Sequence, residues 1–479
     1  MPTLEQEVQS PLAHLSKERV DALGEELDAL HDEIYAELGD RDRKYITSMI
    51  ELHRRLLVIA RAELVFSPLR PAWLLGTATL GAAKILENME IGHNVLHGQW
   101  DWMNDPYIHS STWDWDTAST AESWKHSHNY VHHTYTNIRG KDKDLGYEIM
   151  RIDPHQKWHP VYLAQPLYNV LLMLFFEWGV AVHDLDLDAV RAGEKSHKDV
   201  LKELKGITGK MRDQIVKDYI AWPLISALPT VGAELVRSGW SLNQRKGNRA
   251  QRFGRTLAHR AGRKRKPSQL AADVLAGAVA SGAETFRATA KANAVANVIR
   301  NIWSNWIIFC GHFPDQTYTF SQEEAEDESR GAWYVRQMVG AANIEGSAFF
   351  HVASGNLSYQ VEHHLFPDMP STRYAEIAPR VKDICARYEL PYNTGPFMQQ
   401  WGMVQRTILR LAFPGGKVRS KPDAYQHPNG RKSSNGSGAS NGRVHASSNG
   451  HSNGRATGEN GSGPEQPSEG VRFDMPSNE

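Results

Sequence analysis

Gln360-Val361-Glu362-His363-His364-Leu365-Phe366-Pro367 is the stretch on which the reading of this chain turns. Each imidazole brings a donor and an acceptor that need partners, so two adjacent histidines between apolar neighbours are costly to bury unless something engages both. Metal ligation is the sharpest explanation. Gln360 falls three residues before His363, on the same face if the segment is helical. Taken alone, the pair fits a structural role equally well.

Two upstream clusters change that balance. His93-Asn-Val-Leu-His97 sets histidines at i and i+4, on one face of a helix. A lone pair of this kind is ordinarily structural. His126-Ser-His128-Asn-Tyr-Val-His132-His133 repeats the spacing with His128 and His132, and on an α-helix His133 points about a quarter turn away, toward a second ion or a hydrogen-bond partner. Three inward imidazoles at this spacing are hard to justify as core packing. His312, in Cys310-Gly311-His312-Phe313, follows the last apolar segment. Every cluster sits at or near the end of an apolar segment, so one membrane-bounded face could gather them all.

Imidazole suits iron, zinc and copper, and zinc takes three or four protein ligands. Eight candidates are too many for one zinc and suit two metal ions: His93, His97, His128, His132, His133, His312, His363 and His364. Cys310 and Cys385 are the only cysteines, which excludes a disulfide framework, a four-cysteine zinc site and an iron–sulfur cluster. Two redox-active irons beside a membrane would suit oxygen activation on a greasy substrate.

The rest of the chain frames this site. At 479 residues it exceeds one ordinary soluble core, so several domains or one large membrane domain is expected. The first 40 residues hold no apolar run able to act as a signal peptide, so insertion is expected to use internal spans. Residues 1–49 read as an amphipathic helical segment, with Leu12, Leu15, Val20, Leu23, Leu27 and Leu30 at helical spacing. Four apolar stretches follow, Ala72–Ile91, Val161–Val182, Tyr219–Val236 and Ala294–Phe313. Roughly 20 residues span a hydrocarbon core of about 30 Å. None is clean: Lys84, Glu87 and Glu90 interrupt the first and should pack on protein or lie near the interface, while Glu177 and Arg300 interrupt the second and fourth.

The net charge of −1 excludes a globally basic nucleic-acid binder, and no nucleic-acid partner is expected. Between Arg237 and Lys266 lie eleven Lys or Arg and no acid, which reads as a solvated loop rather than a lipid or nucleic-acid patch. Beyond Pro414 come Ser-Asn-Gly repeats with little to bury, so residues 417–479 are expected to be disordered, and His445 and His451 there carry no prediction. Trp100-Asp101-Trp102 and Trp113-Asp114-Trp115-Asp116 suit an interfacial rim; alternatively they bind a headgroup or donor protein, or brace imidazoles with their carboxylates.

The three boxes His93-x-x-x-His97, His128-x-x-x-His132-His133 and Gln360-x-x-His363-His364, in this order around apolar spans, resemble the membrane-bound fatty acid desaturases. The phrases at 355–367 and 310–315, Gly-Asn-Leu-Ser-Tyr-Gln-Val-Glu-His-His-Leu-Phe-Pro and Cys-Gly-His-Phe-Pro-Asp, are most similar to the actinobacterial acyl-CoA desaturases. The resemblance implies an all-α fold, a helical integral membrane domain over about residues 50–416 whose cytosolic helical cap holds a di-iron centre, with an atypical basic insertion at about 237–285. It makes ligands of the matching histidines, with His312 as the extra one and Gln360 as a weaker candidate. It also implies oxygen-dependent removal of two hydrogens from an acyl-CoA or acyl-lipid, leaving a cis double bond, with a lean toward the ninth carbon of a C16 or C18 chain.

Gln360 stands where many desaturases have His and is typical of the front-end branch. That branch carries a His-Pro-Gly-Gly haem motif, whereas this chain has Phe413-Pro414-Gly415-Gly416. Electrons should therefore come from a separate flavin and iron–sulfur reductase or a ferredoxin. A multi-pass protein of the cell membrane with its histidines on the cytoplasmic side needs an even number of crossings between His133 and His312. We expect Val161–Val182 to lie along the interface, although that puts the basic block outside, against the positive-inside tendency. The competing readings are a lipid hydroxylase or epoxidase of the same superfamily, and a non-catalytic membrane protein that binds metal or haem.

Overall fold

A computed structural model describes residues 12, 14–186, 190, 193, 195–247 and 267–416. It is mostly helical. Its two strands are three residues each, β1 (Asn343–Glu345) and β2 (Thr394–Pro396), paired in parallel with Ile344 opposite Gly395. The tail at 417–479 lies outside the described residues.

Helix α1 (Lys17–Ala36) starts at Ser16, whose side chain accepts from the Arg19 amide, and buries Val20, Leu23, Leu27, Leu30 and Ile34 along one stripe. That stripe packs on Trp333, Tyr334 and Val335 and on the Val361, Leu365 and Phe366 side chains, so the amphipathic N-terminal segment forms part of the wall behind the opening motif. Gly24 lets α1 come close to the 330–340 helix: a Cβ there would lie 3.1 Å from the Gly331 backbone.

Helices α2 (Asp40–Val65) and α3 (Arg70–Ile85) form a hairpin, and α3 runs on as a π-helix over Leu86–His93 and a short α-turn to Leu96. Lys84, Glu87 and Glu90 pack on protein, as expected. Lys84 Nζ donates to Asp218 at 2.8 Å, Glu87 accepts from the Asp116 amide at 3.0 Å, and Glu90 accepts from Tyr45, Ser371 and Asn356 at 2.8–2.9 Å. Helix α4 (Ala121–Trp124) likewise continues into a π-helix over Lys125–His132.

Val161–Val182 is not one straight helix. Helices α5 (Gln165–Leu174) and α6 (Phe176–His183) meet at Phe175, and the bent pair turns through 104°. Helices α7 (His197–Val216) and α8 (Trp222–Gly247) join through a π-turn. Helix α9 (Pro267–His312) is 46 residues long and lies against α8 and α3. Among the described residues one helix, His197–Ser238, could cross a membrane by length and composition, and the bent pair makes a second if counted as one span. The basic block is not simply a loop: residues 237–247 extend α8, while 248–266 lie outside the described residues. Helices α10 (Arg330–Gly340), α11 (Ala348–Ala353), α12 (Gln360–Leu365), α13 (Tyr374–Arg387) and α14 (Phe397–Leu411) complete the chain.

Candidate metal centre

Four separate elements deliver the histidines. The π-wound end of α3 carries His93 and leads to His97; the π-wound extension of α4 carries His128 and His132 and leads to His133; α9 ends on His312; α12 carries His363 and His364. The π winding matters. In an α-helix residues five apart point about 140° from each other, whereas i→i+5 bonding brings them back to nearly the same side. His133 therefore joins His128 and His132 on one face instead of pointing away: its ring lies 5.1 Å from that of His128, centroid to centroid.

The rings form two adjoining groups. In the first, the donor nitrogens of His93, His97, His128 and His363 all lie within 4.8 Å of one another, with Nε2 of His93 and His363 3.5 Å apart. In the second, His132, His312 and His364 meet the same limit, with Nε2 of His312 and His364 3.3 Å apart. The ring of His133 stands between them, 4.8 Å from His97, 4.9 Å from His363 and 4.5 Å from His364. The Gln360 side chain reaches the second group, its amide 3.0 Å from His312 Nε2. His126 does not join; it stacks on Tyr130.

Four of the outer nitrogens are held, and four of the inner ones have no partner. His132 Nδ1 lies 3.0 Å from Asp142, His128 Nδ1 3.4 Å from Asp144, His363 Nδ1 3.2 Å from the Tyr374 hydroxyl and His364 Nδ1 3.0 Å from Gln337. Nε2 of His97, His128, His132 and His133 is buried without a hydrogen-bond partner. Buried polar atoms of this kind are rare unless a bound ion or water satisfies them. Two imidazole nitrogens each about 2.0–2.1 Å from one ion, at ligand angles between right and tetrahedral, stand roughly 3 to 3.4 Å apart, close to the separations found here. Burial pushes His97, His133, His363 and His364 well below the ordinary imidazole value, keeping them neutral, the form that binds a metal. The donor set therefore fits two nitrogen-ligated metal ions.

Glu362 anchors the motif from behind. It accepts from Asn343 on β1 at 2.8 Å and from Tyr392 at 2.7 Å, and Asn343 in turn accepts from the Val361 amide at 2.8 Å. Burial pushes its carboxyl up to about 7 despite those donors. The carboxylates that brace the imidazoles are not those of the Trp-Asp runs. Asp101 accepts from Ser110, Asp114 pairs with Lys210 and Asp116 pairs with Lys84 and Lys217. Asp142 and Asp144, which do the bracing, lie in Lys141-Asp142-Lys143-Asp144, ten to twelve residues past His132. Burial opposes charge on Asp144, yet hydrogen bonds with His128 and His183 hold it well below the usual carboxylate range. Its only sequence signal was proximity to a histidine box.

A cleft opens on the first group. His93, Trp124 and His128 line one end, and Tyr147, Phe176 and Ile308 line its walls. Imidazoles gathered in two adjoining groups beside a cleft with apolar walls define the class: a helical protein with a site able to hold metal ions next to an apolar ligand.

The comparisons narrow that class. Residues 216–396 match the family model described as fatty acid desaturase. The NADPH-dependent stearoyl-CoA 9-desaturase of Mycobacterium tuberculosis is 39% identical over 411 residues, 86% of this chain and 84% of the relative. The sn-1 linoleoyl-lipid 6-desaturase of Synechocystis is 25% identical over 76% of this chain and 88% of its own length. Human fatty acid desaturase 3 is 37% identical over 22% of each chain. No solved structure matches. The chain belongs to the fatty acid desaturase family and is an oxidoreductase of that family.

Proposed function

We propose that this protein is an oxygen-dependent fatty acyl-CoA desaturase that places a cis double bond at the ninth carbon of a C16 or C18 chain. A relative 39% identical over 86% of the chain is named for stearoyl-CoA and for the ninth position. The observation that carries the reading is the convergence of eight imidazoles, four of them braced at the outer nitrogen and four with a buried inner nitrogen that lacks a partner.

In this reading His93, His97, His128, His132, His133, His312, His363 and His364 hold two iron ions, with Gln360 in reserve beside His312. When bound, the irons supply oxygen activation and removal of hydrogen from an unactivated carbon. The chain's own part is positional. Asp142, Asp144, Tyr374 and Gln337 fix the ring orientations, and Tyr147, Phe176 and Ile308 hold an alkyl chain dry against His93 and His128. Electrons come from a separate reductase or ferredoxin. Residues 50–416 form the desaturase domain, inserted in the cell membrane by the α2–α3 and α8–α9 hairpins with the histidines on the cytoplasmic side and α5–α6 at the interface. Residues 1–49 precede it, the basic segment at about 237–285 is its insertion, and 417–479 is a tail.

The test is expression with a reductase in a host that lacks unsaturated fatty acids. Products lighter by two hydrogens, with the bond located by mass spectrometry, support the proposal; products heavier by one oxygen identify a hydroxylase or epoxidase. Metal bound without oxygen consumption in the presence of acyl-CoA and reductant identifies a non-enzyme.

A further inference from the structure

Two of the charges that interrupt the apolar stretches, Glu177 and Arg300, take no part in the centre. They meet: Arg300, fully buried, forms an ion pair with Glu177. The other Glu177 oxygen accepts from Gln214 Nε2 at 2.6 Å. Arg300 also donates to Asn301 Oδ1 at 3.2–3.3 Å and to the Asp116 carbonyl at 3.0 Å, and Asn301 Nδ2 donates to the Leu174 carbonyl at 3.0 Å. Asn88 Oδ1 accepts from Ser304 at 2.9 Å. Glu177, Asn301 and Asn88 line the same cleft as His93 and His128.

Along their own helices Asn301 and Glu177 lie well back from the histidines. Asn301 precedes His312 by eleven residues of α9, about 16 Å. Glu177 opens α6, and seven residues later Asp184 accepts from Ser127, the neighbour of His128, at 2.7 Å. Asn88, five residues before His93 in the π-helix, stands only about one turn from it and is not part of that far group. The apolar lining of Phe176, Val180 and Ile308 belongs to the same walls.

We propose that Glu177, Arg300 and Asn301 form a polar stop that ends the cleft and sets how much acyl chain fits beyond the reacting carbon. The inference rests on the desaturase reading above. Along the apolar walls each methylene gains by leaving water. At the stop the gain ends, because there the wall is a charge pair whose two Glu177 oxygens are already engaged by Arg300 and Gln214. A longer chain end would have to press against a closed charge pair or break it, stranding a buried charge.

The test compares the full-length, metal-loaded protein with Glu177→Leu/Arg300→Met, which swaps the pair for apolar groups instead of stranding one partner, and with Asn301→Ala, which keeps the pair. Saturated acyl-CoAs lengthened two carbons at a time are the probes. Two readouts are taken: relative kcat/KM across the series, and binding of the same series by competition, which needs no turnover. Metal content and Tm check folding. The wild type should show a length cut-off that moves to longer chains in the double variant, with relative kcat/KM for the next longer chain rising about tenfold, and moves less in Asn301→Ala. The position of the double bond counted from the thioester should not change. A cut-off unmoved in either folded variant, a loss equal at all lengths, or no cut-off in wild-type binding overturns the stop. A binding cut-off that moves while no chain is desaturated sinks the desaturase reading and leaves the stop standing.

Discussion

Around the turn between α2 and α3, Phe66, Leu69, Leu74 and Leu75 face outward, as do Leu224, Ile225 and Leu228 on α8. Inside the same hairpins Ser67 meets Thr289 at 3.2 Å, Thr285 meets Thr230 at 3.1 Å, and Asp218 is fully buried against Lys84. Where α1, α10, α12 and α13 pack, the arrangement is the reverse. Leu23, Leu27, Val361 and Val381 are buried, and the outer face carries ion pairs such as Arg380 with Glu33 and Arg41 with Glu376. One part is built to keep its apolar side chains from water by folding; the other leaves them out, as a lipid-embedded surface would.

The comparison can be broken most severely at the centre. His132→Ala or His363→Ala should abolish turnover and reduce bound iron while the protein stays in the membrane fraction, checked by metal analysis and fractionation; full iron in both variants would remove them from the ligand set. Asp142→Asn should be next, lowering metal affinity or activity by about 10–100-fold through His132 orientation, read by metal titration. On the hairpins, Leu228→Lys should cost about 2.5–3.5 kcal/mol of insertion if that face meets hydrocarbon near its centre. The charge-removing Arg380→Ala in the other region should change stability by about 1 kcal/mol or less. Equal, small effects from both in an insertion and unfolding assay would erase the distinction between the two surfaces.

The smallest effect concerns the docking of α1. His31 Nε2 lies 3.2 Å from Asp368, and its ring packs on Phe366. Burial opposes its charge, but Asp368 and Asp32 outweigh that and raise its pKa above the ordinary histidine value. A raised folded-state value means the stabilisation is fully present below the unfolded value and is lost as pH rises through the folded one. Wild-type Tm should therefore fall more than that of His31→Gln as pH rises through that window, and parallel curves would show that the pair contributes nothing.

Much of the centre was legible in the sequence because its ligands are histidines at short spacings, and imidazole clusters have few other reasons to exist. The His93, His128 and His363 boxes needed only residue type and helical geometry to be singled out. Asp142, Asp144, Tyr374 and Gln337 were not legible as partners: the two aspartates reach their rings only through the turn of the chain after His133, and Gln337 reaches His364 only after separate segments had packed together. The hairpin interiors were half legible: Lys84, Glu177 and Arg300 were visible as charges in apolar stretches, but not whom they would pair with.

By itself the sequence determined the mostly helical character, the histidine-rich chemistry and the family, because periodicity, residue type and motif order are local or linear properties. Only the tertiary structure decided the π winding that turns His133 back toward His128, the break at Phe175, and the division of the imidazoles into two groups with His133 between them. Those features depend on backbone hydrogen-bond register and on contacts between residues as far apart as His93 and His363, and no local pattern in a chain encodes which distant surfaces will meet.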